Sequence, residues 1–461
     1  MSATLIISST ACNIEGLPDD GDDPNIVIPP PAQNENADVQ ITVGTLGKKD
    51  ETTLMNRWIN AFNKAHADDS VNVKLTDQMQ GMPDTTLWDA AGKMPDIIWT
   101  AGDQHSYYSG YYKYFQNLND EEKFPGCTEF FADFYESMIE TTHYSSEDDG
   151  IWFVPRDYNR LVIYINKTAF EQAGVAIPKN DWTWNDFISV CNQLMDKHAK
   201  KAIEWKKWRP VYSTMVQNFG AKYLNDNGTL AAESAQMEAC ADFYQKLYES
   251  KRSASDPAVG IAMPGEGENF MSYSIDTGIY NSIPMVVDVR PQLPSYMQTA
   301  SNGGWELDVV AFPNYVQPDG SAGYVGAGCS GYGITKACVN TVDEEGNVIA
   351  KLDWAWKFLQ FCMSKEGYEV VSDLGNIVPA LKTLRNSGSW RDYTYSYGGP
   401  TVNAEAFVYE GTKDIFLNYQ NALPVTKHDN FILRIDDFWK NVSSSGYAEA
   451  IRRLKSDFAA L

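Results

Sequence analysis

Val39-Gln40-Ile41-Thr42-Val43 alternates apolar and polar residues, the period-two signature of a strand with one buried face. Gly44 to Glu51 then turns the chain into a helix carrying Leu54, Trp58, Ala61 and Phe62 on one side. Val71-Asn72-Val73-Lys74-Leu75 is a second alternating strand. Pro95-Asp96-Ile97-Ile98-Trp99 is a third, short and apolar, as suits a strand buried between helix layers. Further on, Thr183-Trp184-Asn185-Asp186 reads as a capping box that starts a helix burying Phe187, Val190, Cys191 and Leu194. Met237 to Tyr248, Asp353 to Ser364 and a last helix with Tyr447, Ile451, Leu454 and Phe458 show the same apolar stripe. Strands alternating with helices predict an α/β fold with mostly parallel sheets.

Composition bounds what such a fold does. The 461 residues suffice for two domains with real cores. Hydrophobic residues make up 43% and aromatics 13%, which excludes wholesale disorder. A net charge of -24 repels phosphate backbones and anionic lipid, so nucleic-acid and polybasic membrane roles are disfavoured. The seven cysteines form no CxxC pair and no Cys/His cluster, so no metal site is expected. Cys191, Cys240 and Cys362 fall on helix stripes and read as buried thiols, leaving room for one disulfide at most. No nucleophile elbow, metal motif or phosphate loop is present.

The N-terminus has a different character. Leu5-Ile6-Ile7-Ser8-Ser9-Thr10-Ala11 is followed by Cys12 and then by a polar tract through Pro24. This resembles a bacterial lipoprotein signal, which implies that Cys12 is lipidated and that the rest works outside the membrane on a tether. Residues 13–38, with Pro29-Pro30-Pro31, read as a linker. No later run is long and apolar enough to span a bilayer.

Four blocks carry a larger resemblance. They are Met94 to Trp99; Gly150-Ile151-Trp152-Phe153-Val154-Pro155 with Leu161 to Gly174, including Tyr164-Ile165-Asn166-Lys167; Pro178 to Asp186; and Val309 to Pro313 with Gly326 to Ile334. Leu374 to Ala380 closes the series. In this order they resemble extracellular solute-binding protein family 1, the oligosaccharide and maltose-type substrate-binding lipoproteins of ABC transporters. The resemblance implies a periplasmic-binding-protein-like fold of two α/β lobes with hinge crossovers and an interlobe cleft. It places one lobe at roughly 39–155 plus 316–378 and the other at roughly 160–312 plus 382–461. It implies a monomer that captures an oligosaccharide at the extracellular face of a bacterial membrane and hands it to permease subunits, with no cofactor and no chemistry of its own.

Sugars need aromatic faces and directed polar groups. Trp99 and Asp103 follow the third strand, and the resemblance puts that loop in the cleft. Arg156-Asp157-Tyr158-Asn159-Arg160 is the densest polar cluster beside an apolar strand. Where the family has an acidic residue reaching the sugar, this chain has Asn159, with Arg156 and Asp157 beside it. An internal Arg156–Asp157 pair across the hinge is the alternative. Lys48 follows the first strand, Ser330 lies in the fourth block, and Tyr280, after Gly278-Ile279, stands where the family carries a stacking platform. Tyr212 is the candidate from an aromatic-rich stretch, and His428 resembles in position a C-terminal sugar-contacting segment. Two other readings stay open: the same fold holding a polyamine, peptide or chelate, and a surface glycoside hydrolase with paired carboxylates.

Overall fold

The first strand forms where the alternation puts it. β1 (Val39–Gly44) buries Val39, Ile41 and Val43 and leaves Gln40 and Thr42 partly covered. α1 (Lys49–Ala65) follows and buries Leu54, Trp58 and Phe62 along one face. β2 (Val71–Leu75) and β3 (Ile97–Ala101) both pair with β1 in parallel, and β3 is buried along its whole length. The computed structural model describes residues 34–76, 85–102, 111–143, 149–250, 252–253, 255–264, 278–280, 282–391, 402–416, 423 and 425–461. Cys12 and most of the expected linker lie outside them.

The chain then crosses between two sheets. β4 (Val154–Pro155) joins the first sheet, β5 (Asn159–Arg160) lies in the crossing, and β6 (Val162–Asn166) opens the second sheet. β7 (Ile203–Glu204), β8 (Ala262–Met263), β9 (Met285–Asp288) and β10 (Leu307–Ala311) complete that sheet. β11 (Tyr324–Gly328) and β12 (Ser330–Ile334) carry the chain back, with Cys329 between them. β13 (Thr341–Val342) and β14 (Val348–Ile349) form a separate hairpin, and β15 (Lys413–Phe416) comes late. The sheet orders are β2-β1-β3-β12-β4 and β10-β6-β9-β7-β8, with a small third sheet, β15-β11-β5, at the crossing. A third pass runs beside the first: Tyr158 N donates to Val378 O at 2.9 Å, and Asp157 bridges Pro379.

Strand direction corrects one expectation. The sheets are mixed, not mostly parallel: β12 opposes β3 and β4, and β6 opposes β9 and β10. The cause is connectivity. β6 and β12 are the first strands after a crossing, so they start at the hinge and run away from it. The other described strands of the two sheets run towards it. Their carboxyl ends therefore converge on the crossing: Ala101 lies opposite Ser330, and Asp288 opposite Val162.

Each sheet has its own apolar packing. Trp58, Phe62, Phe124, Phe134, Tyr332 and Phe358 gather around the first sheet; Trp182, Phe187, Trp205, Tyr244, Phe312 and Trp439 around the second. The capping box is present, with Asp186 N donating to Thr183 Oγ1 and Thr183 N to Asp186 Oδ2. Cys191, Cys240 and Cys362 sit buried on their helix stripes, and the six described cysteines are free thiols. No described helix is long and apolar enough to cross a membrane.

Candidate binding site at the lobe crossing

Arg156 is the buried cation that ties the two crossovers to α1. Arg156 Nη1 and Nη2 donate to both carboxylate oxygens of Glu51, at 2.5 and 3.0 Å, so α1 is clamped to the first crossover. Nη2 also donates to Asp157 Oδ2 at 2.6 Å and to Ser330 Oγ at 2.7 Å. Asp157 ties the passes together. It accepts from Ser330 N and Ser330 Oγ, each at 2.7 Å, and from Asn159 Nδ2 at 2.9 Å. Side-chain exposure is 3% for Arg156 and 0% for Asp157. Burial works against the guanidinium's charge, but Glu51 and Asp157 outweigh it and hold Arg156 well above its ordinary pKa. Burial pushes the Glu51 carboxyl up, while Arg156 pulls it back.

The next residues lock the same strand from the other side. Arg160 pairs with Asp414 at 3.0 Å and donates to Thr412 O at 2.8 Å and to Tyr409 O. Tyr158 OH donates to Asp414 Oδ2 at 2.6 Å beneath the Arg385 guanidinium, and burial raises its pKa.

The second sheet carries carboxylates at its own strand ends. Glu204 ends β7 and Asp288 ends β9, both buried. Asp288 pairs with Lys206 and accepts from Tyr296 OH at 2.6 Å. Open α/β sheets bind ligands beyond such carboxyl ends. On the first sheet Trp99 is 7% exposed, beside Tyr332 in register, and its Nε1 is buried with no hydrogen-bond partner among the described residues.

The candidates divide accordingly. Arg156, Asp157, Asn159 and Ser330 come together, with Trp99 on the adjoining strand. Lys48 is exposed directly before α1. Tyr212 is not at the crossing. It lies on the helix Arg209–Asn218, 2% exposed and stacked on Trp439 at 5.2 Å, inside the second core. Tyr280 is not there either: it precedes β9, at the end of the sheet away from Asp288, 57% exposed with His198 as its ring neighbour. His428 falls on the helix Val425–Ser445, and its side chain, like the whole of Asp103, is outside the described residues. Glu51, Lys206 and Asp288 were missed. Glu51 reads as a first-turn helix acid, but Met285-Val286-Val287-Asp288, an apolar run ending in a carboxylate, was a usable signal. Among the described residues no group of His, Cys, Asp and Glu is placed to hold a metal ion.

Comparison with known proteins agrees with this architecture. Residues 48–262 match the family described as bacterial extracellular solute-binding protein, so the resemblance read from the sequence blocks is borne out. The erythritol/L-threitol-binding protein of Mycolicibacterium smegmatis is 23% identical over 257 residues, 51% of this chain and 48% of that protein. The chain thus spans about half the length of that relative. Three solved structures share the two-lobed fold. An ABC substrate-binding protein from Listeria monocytogenes in complex with cycloalternan has a TM-score of 0.62 at 15% identity, over 91% of this chain and 98% of that one. The GacH receptor of Streptomyces glaucescens, solved unliganded and with acarbose, has 0.65 at 15% identity, over 91% and 97%. UgpB from Mycobacterium tuberculosis, in complex with glycerophosphocholine, has 0.65 at 16% identity, over 91% and 98%.

Proposed function

We propose that this chain is the extracellular substrate-binding component of a carbohydrate ABC transporter. It captures an oligosaccharide between two lobes and delivers it, unchanged, to a membrane permease. The observation that carries this reading is the convergence of strand carboxyl ends from two sheets on one crossing lined with buried polar groups. In this reading the lobes are taken at the bounds expected from the sequence, roughly 39–155 with 316–378 and 160–312 with 382–461. Lys48, Trp99 and Asn159 form one wall, to which the sequence-based expectation adds Asp103, and Glu204, Lys206 and Asp288 form the other. Arg156, Asp157 and Ser330 hold the floor in shape. Ligand binding stabilises the closed arrangement, because closure completes the contacts.

The fold alone does not choose the ligand, since a relative of equal likeness holds glycerophosphocholine. Charge balance favours a neutral one. The charged groups of the crossing are already paired within the protein: Glu51 and Asp157 with Arg156, Asp414 with Arg160 and Asp288 with Lys206. A thermal-shift screen with maltose, maltotetraose, a cyclic glucan and erythritol tests this; a saccharide at a hundred times its Kd adds about 2.7 kcal/mol of apparent stability. No shift with any carbohydrate, beside a clear one with spermidine or a peptide, refutes the sugar assignment. New reducing ends on incubation with glycans would make it a hydrolase instead. Lipidation at Cys12 completes the proposal, placing the monomer at the outer face of the cell membrane. Cys12→Ala should then release the protein from the membrane fraction, and an unchanged distribution refutes the anchor.

A further inference from the structure

The return pass changes hands at one residue. Before it, the second sheet's side holds the chain. Tyr324 N donates to Asn218 Oδ1 at 2.8 Å and Gly326 N to Thr214 Oγ1 at 2.7 Å, both on the helix Arg209–Asn218 that packs in the second core. β15 pairs with β11 from Tyr324 to Ala327. The segment leading into β15 is itself fixed to the second sheet: Asn403 N donates to Asp308 Oδ1 at 2.9 Å, and Phe407 packs near Tyr164. After it, the first sheet's side takes over. Cys329 O accepts from Gly102 N, just past β3, at 3.0 Å. Ser330 is tied to Asp157, whose partner Arg156 is clamped to Glu51 of α1. Between Ala327 and Cys329 stands Gly328.

The first pass changes hands at the same level. Asp157 belongs to the Glu51–Arg156 cluster, whereas Arg160 is held by Asp414 of β15 and by Thr412 O. Asn159, just before Arg160, pairs in register with Gly328. Gly328 also makes no local use of being a glycine. A Cβ there meets no described atom within 4 Å, and its φ is not in the left-handed region. Its neighbours differ: a Cβ on Gly326 would lie 2.6 Å from Pro210 O, and one on Gly331 2.0 Å from Val154 O. Glycine opens backbone angles closed to other residues. At Gly328 that range is unused in this arrangement, and there is room to use it. Hinges absorb their φ/ψ change at a few such positions.

We infer that Gly328 is the pivot of the crossing. The lobes turn about the Gly328–Asn159 pair, with Ala327 and Arg160 moving with the second sheet and Asp157 and Cys329 with the first. The inference rests on the binding-protein reading and gives its closure an axis. The changeover on the return pass then falls at 328, later than the division near 316 expected from the sequence. Asp414 is a positioning residue here: by holding Arg160 and the Tyr158 hydroxyl, it keeps bending out of the chain beyond Asn159.

Spin labels at Lys93→Cys and Lys197→Cys, in the full chain carrying Cys12→Ala, read the interlobe distance by pulsed electron resonance. Both lysines are exposed, and the six described cysteines are buried. Each lysine lies at its sheet's end away from the crossing: Lys93 shortly before β3, and Lys197 near Lys200, whose N donates to Ser282 O ahead of β9. The labelled parent should give more than one distance. Gly328→Ala adds one methyl to open space. It should deplete every distance other than that of the present arrangement about two- to fivefold, the worth of the freedom a glycine loses. Ala327→Gly should leave the populations unchanged, because Ala327 is paired on both edges, to Phe416 and to Arg160. A single sharp distance in the parent, populations not depleted by Gly328→Ala, or a shift as large from Ala327→Gly overturns the pivot. No ligand enters the measurement, so that failure leaves the carbohydrate reading standing. A thermal-shift screen that fails with every saccharide leaves the pivot standing in turn.

Discussion

Replacing Arg156 by Met removes the cation shared by two carboxylates, Glu51, 9% exposed, and Asp157, not exposed at all. Met keeps the length of the side chain and most of its packing, so the cost is electrostatic. Both carboxylates of the cluster lose their cation, and breaking a buried pair in this way costs about 3–5 kcal/mol. The double variant Glu51→Leu/Arg156→Met should recover about 2 kcal/mol or more of that, since an apolar pair can replace a buried ionic one at little cost. In it Asp157 still accepts from Ser330 N, Ser330 Oγ and Asn159 Nδ2. Acid should help the single variant. Burial already raises the Glu51 pKa, and without Arg156 it rises further. A carboxyl whose folded-state pKa is raised favours the folded state at low pH and loses that advantage as pH rises through the folded value. The deficit should therefore shrink between pH 7 and pH 5. Urea unfolding, followed by tryptophan fluorescence and far-ultraviolet circular dichroism, measures all three proteins. A deficit under about 1 kcal/mol at pH 7, a deficit independent of pH, or a double variant less stable than the single would refute the reasoning.

Three other outcomes follow from the geometry. Tyr212→Ala should destabilise the protein by about 3–5 kcal/mol in urea, as for a large aromatic cut from a core, while calorimetric affinity for a bound saccharide stays unchanged. Thr183→Ala should cost about 1 kcal/mol in the same assay, because the capping box opens and Asp186 N loses its acceptor. Glu121 accepts from Thr128 N, Thr128 Oγ1 and Gly126 N, which hold its pKa at about 2. Its contribution is present above the ordinary carboxyl range and lost as pH falls towards 2, so the stability gap between wild type and Glu121→Gln should close with acidification. A titration of the Glu121 carboxyl by nuclear magnetic resonance checks it directly.

Periodicity made much of the fold legible. The alternation at Val39–Val43, the stripe from Leu54 to Phe62 and the Thr183–Asp186 box are local patterns, and local hydrogen bonding enforces them. Strand direction was not legible, because alternation is the same whichever way a strand runs; the hinge decided it for β6 and β12. Within the site, Arg156 to Asn159 stood out as charge beside an apolar strand, and the internal Arg156–Asp157 pairing weighed as the alternative is realised there. Glu51 escaped because its partner lies 105 residues away and no spacing rule links them. Tyr212 misled because an aromatic-rich stretch looks alike on a cleft wall and in a core. Only tertiary packing against Trp439 separates the two.

Hydrogen–deuterium exchange of the full chain, with and without the saccharide giving the largest thermal shift, tests the interlobe site most directly. Protection should appear together on both walls and the floor, in peptides covering 45–51, 97–102, 156–160, 203–206, 286–290 and 326–330. Protection confined to one sheet's strand ends, or placed away from the crossing, would contradict binding between the lobes.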